Sequence, residues 1–215
     1  GSAGAVALTG GNYVVASPLW NNGATADVGA VTLGFGGAAT AAAVSTTNSI
    51  VGGAANAQLT AAGNTASAEI LARSSASGAV FVGLTNPNQV TFNRALAQTL
   101  TVNPAFLTRT LNTGTAVTLQ ASNDLTVLSD IIVNNPSGNG GALTLQAGRS
   151  VLINADVTTD NGNLTIVAND ILSAGVIDAQ RDPGSAVLTM GVGADINAGT
   201  GNVRLTIASG AGKTN

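Results

Sequence analysis

The chain has 215 residues and a formal net charge of −3; only 8% of the residues are charged, whereas 45% are hydrophobic. It contains no His and no Cys, which excludes imidazole catalysis, His or thiolate metal ligands and disulfide bonds. The seven basic residues are scattered and no apolar run reaches the roughly 20 residues that cross a bilayer. We therefore expect no nucleic-acid partner and no membrane span.

Residues 1–60 form the first predicted segment, a repeat or capping region. Alternating apolar residues predict strands at 12–15, 30–34 and 48–52, and the Asn22-Gly23 pair is typical of a turn. Tyr13 and Trp20, the only Tyr and Trp of the chain, allow an aromatic patch for stacking on a sugar. A structural role is favoured for Trp20, in which it caps the open end or a side of the solenoid that the later repeats predict.

Residues 61–115 form the second predicted segment, in which β coils lead into the more regular part of the chain. Strands are expected at 79–82, 90–92 and 99–102, separated by the turn formers Asn86-Pro87 and Asn103-Pro104. Only residues 66–73 have a weakly helical pattern, and no helix of normal length is predicted.

Residues 116–215, the third segment, repeat one short phrase five times, an apolar residue, Thr and a second apolar residue. The period of two predicts strands whose aliphatic residues point inward: Val117, Leu119, Leu143, Leu145, Leu164, Ile166, Leu188, Met190, Leu205 and Ile207. The same period predicts an outward ladder of hydroxyl side chains: Thr118, Thr144, Thr165, Thr189 and Thr206. Stacked copies of one unit would give each inward position its own column.

Shorter apolar pairs between the phrases predict two further strands in each unit, the last of them at Ile171 and at 176–177. Three strands per unit, each ending at a turn, indicate an all-β fold, a right-handed parallel β-helix (solenoid) of about 20 residues per coil. An antiparallel sandwich of short strands is the alternative that composition allows.

Paired carboxylates are candidate catalytic groups, since parallel β-helices include enzymes that act on polysaccharides. The available pairs flank turns: Asp124 with Asp130, Asp156 with Asp160, and Asp178 with Asp182. Asp is a turn former and no basic residue repeats beside the pairs, so a role in turns is favoured over glycosidase or lyase chemistry. Calcium-binding repeat signatures are missing as well, and we predict no enzyme activity, no cofactor and no metal.

Two stretches resemble known proteins. Residues 11–23, with 27–34 and 48–52, resemble a repeat of large bacterial haemagglutinin-like surface proteins. Residues 112–121 to 163–169 are similar to the β-helical passenger of filamentous-haemagglutinin-type exoproteins, and Asn86-Pro87-Asn88-Gln89 resembles a motif of their secretion domain with Gln in place of Gly. This resemblance implies a secreted or cell-surface protein that an outer-membrane partner exports by two-partner secretion or a related route.

The function expected on these grounds is a structural stalk or adhesin segment for bacterial surface attachment. One alternative is a fibre subunit that self-associates by end-to-end stacking through exposed β-helix edges. Another is a carbohydrate-binding module, with a host or surface carbohydrate as partner.

Overall fold

The computed structural model describes residues 4–8, 12–34, 43–45, 48–64, 69–77, 80–84, 87–94, 102 and 104–210. Within these residues the chain forms seventeen strands and one α-helix. It falls into two compact units, residues 1–85 with 100–103 and residues 86–99 with 104–215. The first unit thus contains the predicted segment 1–60 and part of the segment 61–115.

The first unit begins with an antiparallel sheet in which neighbouring strands are consecutive in the chain. Its strands are Ala5–Ala7 (β1), Tyr13–Ser17 (β2), Ala30–Gly34 (β3) and Ser49–Val51 (β4). Val14 and Ala16 of β2 are buried while their neighbours are half-buried, as expected of a strand with one covered face. The three strands predicted in this segment are confirmed.

A second antiparallel sheet completes the first unit, with strands Leu59–Asn64 (β5), Glu69–Ser74 (β6) and Val80–Leu84 (β7). The weakly helical pattern at 66–73 does not give a helix, because Glu69–Ser74 is a strand that buries Ile70 and Ala72. The predicted β coils are wrong for this unit as well. Its consecutive strands pair with each other as antiparallel neighbours, whereas a coil pairs each strand with a parallel strand one turn away.

The second unit opens with a 3₁₀ turn at Pro87–Gln89 and an α-helix at Pro104–Leu111 (α1) that the sequence analysis missed. Pro104 takes the first helical position, where its missing N–H costs nothing, and Phe106, Leu107 and Leu111 are buried.

The strand predicted at 90–92 is absent, although the Val90 carbonyl accepts the Gln120 amide at 2.9 Å. The strand predicted at 99–102 lies almost entirely outside the described residues.

The rest of the second unit consists of ten short strands that pair in parallel. In chain order they are Val117–Ala121 (β8), Leu125–Val127 (β9), Ile131–Ile132 (β10), Leu143–Ala147 (β11), Val151–Ile153 (β12), Val157–Thr158 (β13), Leu164–Ala168 (β14), Leu188–Met190 (β15), Ile196–Asn197 (β16) and Val203–Ile207 (β17). Sheet I contains β8, β11, β14 and β17, sheet II contains β9, β12 and β15, and sheet III contains β10, β13 and β16. The chain visits sheets I, II and III in this order three times and then returns to sheet I. The all-β, parallel part of the prediction is therefore confirmed for this unit.

The register of sheet I puts the first three phrases in the predicted columns. Leu145 lies between Leu119 and Ile166, and the corresponding column is formed by Val117, Leu143 and Leu164. Leu145 and Ile166 are fully buried, as are Leu143 and Leu164. Burying an aliphatic side chain of this size contributes about 1.5–3 kcal/mol, so these columns are the core of the unit.

The fourth phrase does not belong to these columns. Leu188 and Met190 pair with Val151 and Ile153 in sheet II, and Thr189 is exposed beside Leu152. The cause is the connection at 169–187, which replaces the short corners at 122–124 and 148–150 and delays the next strand. Because of this connection, the paired residues Leu164 of β14 and Val203 of β17 are 39 residues apart in the chain. The corresponding separation is 26 residues between β8 and β11 (117 to 143) and 21 between β11 and β14 (143 to 164).

The fifth phrase is in sheet I but shifted by two residues from the predicted register. Leu205 pairs with Ile166, and Ile207 with Ala168, while Thr206 lies beside Val167 rather than Thr165. A shift of two keeps each side chain on its expected face. The outward Thr ladder thus has three members, Thr118, Thr144 and Thr165, and Arg204 takes the next position.

The strands predicted at Ile171 and 176–177 are also wrong. The connection contains two 3₁₀ helices instead, Leu172–Ala174 and Asp178–Gln180, and it buries Val176. The Ile177 amide donates to Ser122 Oγ at 3.0 Å, so the connection packs back on the corner of the first turn.

Close stacking of the turns requires glycine at one corner. Gly141, Gly162 and Gly201 each lie two residues before a strand of sheet I. A Cβ on Gly162 would lie 2.4 Å from the carbonyl oxygen of Gly141, and one on Gly201 would lie 2.4 Å from that of Gly162. Successive turns lie so close together at this corner that a residue with a Cβ atom would not fit.

Candidate functional site

The outward face of sheet I carries a ladder of amide side chains beside the three Thr residues. Gln120 Nε2 donates to Gln146 Oε1 at 2.9 Å, and Gln146 Nε2 donates to Asp170 Oδ2 at 3.1 Å. Each hydrogen bond joins one turn to the next. Gln120 and Gln146 therefore link successive turns of the chain, which is a structural role.

A column of three carboxylates marks the corner before sheet III. Asp130 Oδ1 accepts the Asp156 amide at 3.1 Å, and Asp156 Oδ1 accepts the Asp195 amide at 2.9 Å. The last of the three, Asp195, accepts the amide of its own neighbour, Ile196, at 2.9 Å. The column satisfies backbone donors at the turn, as predicted for Asp in this part of the chain.

This geometry gives a test at Asp156. Asn keeps an oxygen acceptor at Oδ1, so Asp156→Asn should change the free energy of unfolding by less than about 0.5 kcal/mol. Asp156→Ala leaves the Asp195 amide without this acceptor and should cost about 1 kcal/mol. Urea unfolding of the two variants measures the difference, and equal costs would exclude the hydrogen-bond role.

A group of charged and amide side chains joins the corners of the three turns. We call Asn123, Asp124, Arg149 and Asp182 the corner cluster. Arg149 binds both carboxylate oxygens of Asp124 through Nε and Nη2, and its Nη2 lies 3.6 Å from Asp182 Oδ2. Asn123 Nδ2 donates to Asp182 Oδ2 at 2.8 Å. The cluster ties the long connection to the two preceding corners.

Asp124 is held in its charged form. Partial burial raises the pKa of this carboxyl, but hydrogen bonds from Arg149 and from the Ser150 amide, with the charge of Arg149, outweigh burial and lower it overall. The hydrogen bond to Asp124 likewise raises the pKa of Arg149. A lowered pKa is the opposite of what a general acid requires.

The lowered pKa predicts how Asp124 affects stability as the pH changes. Because the folded pKa lies below the unfolded value of about 3.9, the contribution is complete above that value and is lost as the pH falls through the folded pKa. The difference in free energy of unfolding between the wild type and Asp124→Asn should therefore be largest near neutral pH and shrink below about pH 4. Denaturant unfolding across this range measures it, and a difference that grows on acidification would contradict the ion pair.

A buried arginine, Arg181, binds other residues of the connection at 169–187. Arg181 is only 3% exposed; its Nη2 donates to Asn169 Oδ1 at 2.7 Å, and its Nη1 lies 3.7 Å from Asp178 Oδ1. Asn169 in turn donates to the Ala208 carbonyl at 2.6 Å. Sequence reasoning treated this stretch as ordinary strand and turn, since nothing local marks Arg181 as buried.

Tyr13 and Trp20, the two aromatic residues considered for stacking on a sugar, are both half-buried. The ring of Tyr13 packs over Gly34 of the neighbouring strand, where an added Cβ would lie 2.2 Å from Cζ. Trp20 is half-buried, and its carbonyl accepts the Gly29 amide at 3.0 Å. Tyr13 therefore covers its own sheet with one ring face.

Each member of the three carboxylate pairs has a hydrogen-bond or ion-pair partner within the chain. Asp130 and Asp156 accept backbone amides, and Asp160 Oδ2 accepts the Asn135 amide at 2.7 Å. Asp124 and Asp182 lie against Arg149, and Asp178 lies against Arg181.

Across the described ranges there is no group of three or more acidic, His or Cys residues placed to hold a metal ion. Nor does the part of the chain that the structure describes include a helix of the length and apolar character needed to span a membrane.

The two ends of the parallel stack differ. At β8 the Thr118 amide donates to Asn88 Oδ1 at 2.8 Å and Ser122 Oγ donates to the Phe92 carbonyl at 3.0 Å, while α1 contacts β10. At the other end β15, β16 and β17 are the outermost strands of their sheets, and we call this surface the open edge. Large apolar residues are exposed on it, which makes it the candidate interaction surface.

Comparison with known proteins gives one match. A repeat of unknown function, DUF5650, matches residues 7–61, which contain most of the first antiparallel sheet. No curated protein and no solved structure matches the chain. The class defined by fold and site is thus a β protein with one antiparallel unit and one unit of stacked parallel strands.

Proposed function

We propose that this chain is a structural stalk or adhesin segment of a secreted bacterial surface protein, and that its second unit is a right-handed parallel β-helix with sheets I, II and III as its three faces. The observation that carries the proposal is the repeated order of the three sheets, in register, around fully buried aliphatic columns. Such a unit resists deformation because every turn is bonded to the next along all three faces.

The polar groups support a scaffold rather than an active site. The Gln ladder, the Asp column and the corner cluster direct their donors and acceptors toward neighbouring turns. Export through an outer-membrane partner and attachment to a surface carbohydrate remain parts of the proposal that rest on the sequence resemblance.

The test is to screen the purified chain against acidic and neutral polysaccharides, with and without calcium, for binding and for cleavage, beside the Asp156→Asn and Asp124→Asn variants. A stalk should produce no cleavage product in any reaction. Turnover that disappears in either variant would overturn the proposal, because Asn can neither ionise nor donate an acid proton.

A fibre that grows end to end is the second candidate, favoured by the exposed edge strands of the open edge. Growth of a fibre needs a bare strand edge at both ends of the stack. Asn88, Phe92 and α1 occupy the end at β8 and β10, which supports a single docking end instead.

A further inference from the structure

The chain contains three Asn-Gly pairs, at residues 22–23, 139–140 and 161–162. In such a pair the next backbone nitrogen can attack the side-chain amide of Asn, because Gly has no Cβ to hinder the approach. The three pairs consist of the same two residues. Their surroundings in the folded chain therefore decide which of them reacts.

Two of the pairs lie at the corner that precedes sheet I, where the glycine nitrogen is already used. The Gly140 amide donates to the Asp160 carbonyl at 2.6 Å, and the Gly162 amide donates to the Thr159 carbonyl at 3.0 Å. Both glycines are buried. Attack by either nitrogen removes its N–H and leaves the carbonyl without its donor, which opposes the reaction.

The side chains of these two pairs are restrained to different degrees. Asn161 is half-buried, and its Oδ1 accepts the Thr200 amide at 2.9 Å and the Thr200 hydroxyl at 3.1 Å. Asn139, in contrast, is exposed. Asn139 therefore resembles an unprotected residue in its exposure, and only the hydrogen bond of the following nitrogen holds its pair in place.

The pair at 22–23 lies in an exposed turn of the first unit. The Asn22 amide donates to the Thr25 carbonyl at 3.0 Å, and the Thr25 amide donates to the Asn22 carbonyl at 3.1 Å, so two hydrogen bonds close the turn. The Gly23 amide donates to no acceptor in the part of the chain that the structure describes, and a Cβ at Gly23 would meet no atom within 4 Å. Neither of the two closing bonds involves Asn22 Cγ or the Gly23 nitrogen, the atoms that would react.

We propose that Asn22 is a site of spontaneous deamidation in the folded protein, and that Asn139 and Asn161 are protected from it. The Gly23 nitrogen loses its proton and forms a bond to Asn22 Cγ, while the bond between Cγ and Nδ2 breaks and the side-chain nitrogen leaves as ammonia. Water then opens the resulting five-membered imide at either of its carbonyls and gives aspartate or isoaspartate at position 22.

The reaction changes the turn in two ways. Both products add one negative charge to an exposed surface of the first unit, and isoaspartate also lengthens the backbone of the turn by one methylene group. Water is the only co-reactant, so neither an enzyme nor a cofactor is required. This inference is independent of the surface-attachment role proposed above.

The experiment is peptide mapping by mass spectrometry of the full chain, incubated at mildly alkaline pH either folded or unfolded in guanidinium chloride. In the unfolded chain the three pairs should react at similar rates, because each presents the same Asn-Gly bond. In the folded chain Asn22 should stay within a few-fold of that rate, whereas Asn139 and Asn161 should react at least about tenfold more slowly, since each reaction breaks a hydrogen bond. Deamidation is detected as a mass increase of about 1 Da in the peptide that contains the residue.

Asn22→Gln is the matched control, since it retains the side-chain amide but needs a six-membered ring, which closes far more slowly. This variant should lose the reaction at position 22 and keep the circular dichroism of the wild type. Fragment spectra separate Asn22 from its neighbour Asn21. In the wild type aspartate and isoaspartate should both appear, because the imide opens at either carbonyl.

Three results would overturn the proposal. One is deamidation of Asn139 as fast as that of Asn22 in the folded chain, which would show that the hydrogen bond of Gly140 gives no protection. Another is an Asn22 that reacts at least about tenfold more slowly in the folded than in the unfolded chain, or not at all. The last is aspartate as the sole product, which would indicate direct hydrolysis of the amide without the Gly23 nitrogen.

Discussion

Leu145→Asp is expected to lower the free energy of unfolding by more than about 4 kcal/mol. Leu145 is fully buried between Leu119 and Ile166, so the new carboxylate would have neither water nor a cation beside it. Urea unfolding monitored by circular dichroism measures the loss, and the variant is expected to unfold in part even without denaturant.

Thr144→Ser is the matched control, one residue away on the opposite face of the same strand. Its side chain is half-buried and the change removes one methyl group, so it should cost less than about 1 kcal/mol. Similar losses from the two variants would mean that the faces of β11 are assigned the wrong way round.

Gly162→Ala is expected to cost about 2–3 kcal/mol, at the upper end for overpacking, although it adds only one methyl group. The new Cβ would lie 2.4 Å from the Gly141 carbonyl oxygen and 2.7 Å from that of Gly140. Both contacts are with backbone, which cannot rotate away as a side chain can, so the two turns must separate.

Gly53→Ala provides the comparison for the Gly162 variant. A Cβ on Gly53 meets no atom within 4 Å, so this change should be neutral within about 0.5 kcal/mol. Thermal unfolding of the two variants is sufficient. A neutral Gly162→Ala would show that successive turns lie further apart than described.

The repeated phrase predicted the core of sheet I because pattern and spacing agreed for its first three copies. The fourth copy, Leu188-Thr189-Met190, has the same pattern but pairs in sheet II. Its position follows the connection at 169–187, whose packing involves contacts distant in sequence, such as that of Ile177 with Ser122. Local alternation predicts a strand but not its partner.

The same limit explains the first unit. Alternation has a period of two in parallel and antiparallel strands alike, so β2, β3, β4 and β7 were predicted without their pairing, while β1, β5 and β6 were missed. Helix α1 was missed for another reason. Its eight residues make only about two turns, too few for apolar residues to recur in a clear helical pattern. In addition, Asn103-Pro104 was interpreted as a turn, although Pro also begins helices.

The candidate site was predictable in part. Asp residues were expected at turns, and Asp130 and Asp156 hold turn amides. Gln120 and Gln146 occupy the same position in two copies of the phrase, a signal from which their ladder could have been predicted. The corner cluster gave no such signal, because Asn123 and Asp182 are 59 residues apart.

The parallel stacking of turns is tested most directly by nuclear Overhauser effects between backbone protons of β8, β11 and β14. Adjacent strands lie about 4.8 Å apart, close enough for such effects. The pairing predicts cross-peaks that link the neighbourhood of Leu119 with that of Leu145, and Leu145 with Ile166, in the pattern of parallel strands. An antiparallel pattern, or cross-peaks that join consecutive strands such as β8 and β9 instead, would contradict it.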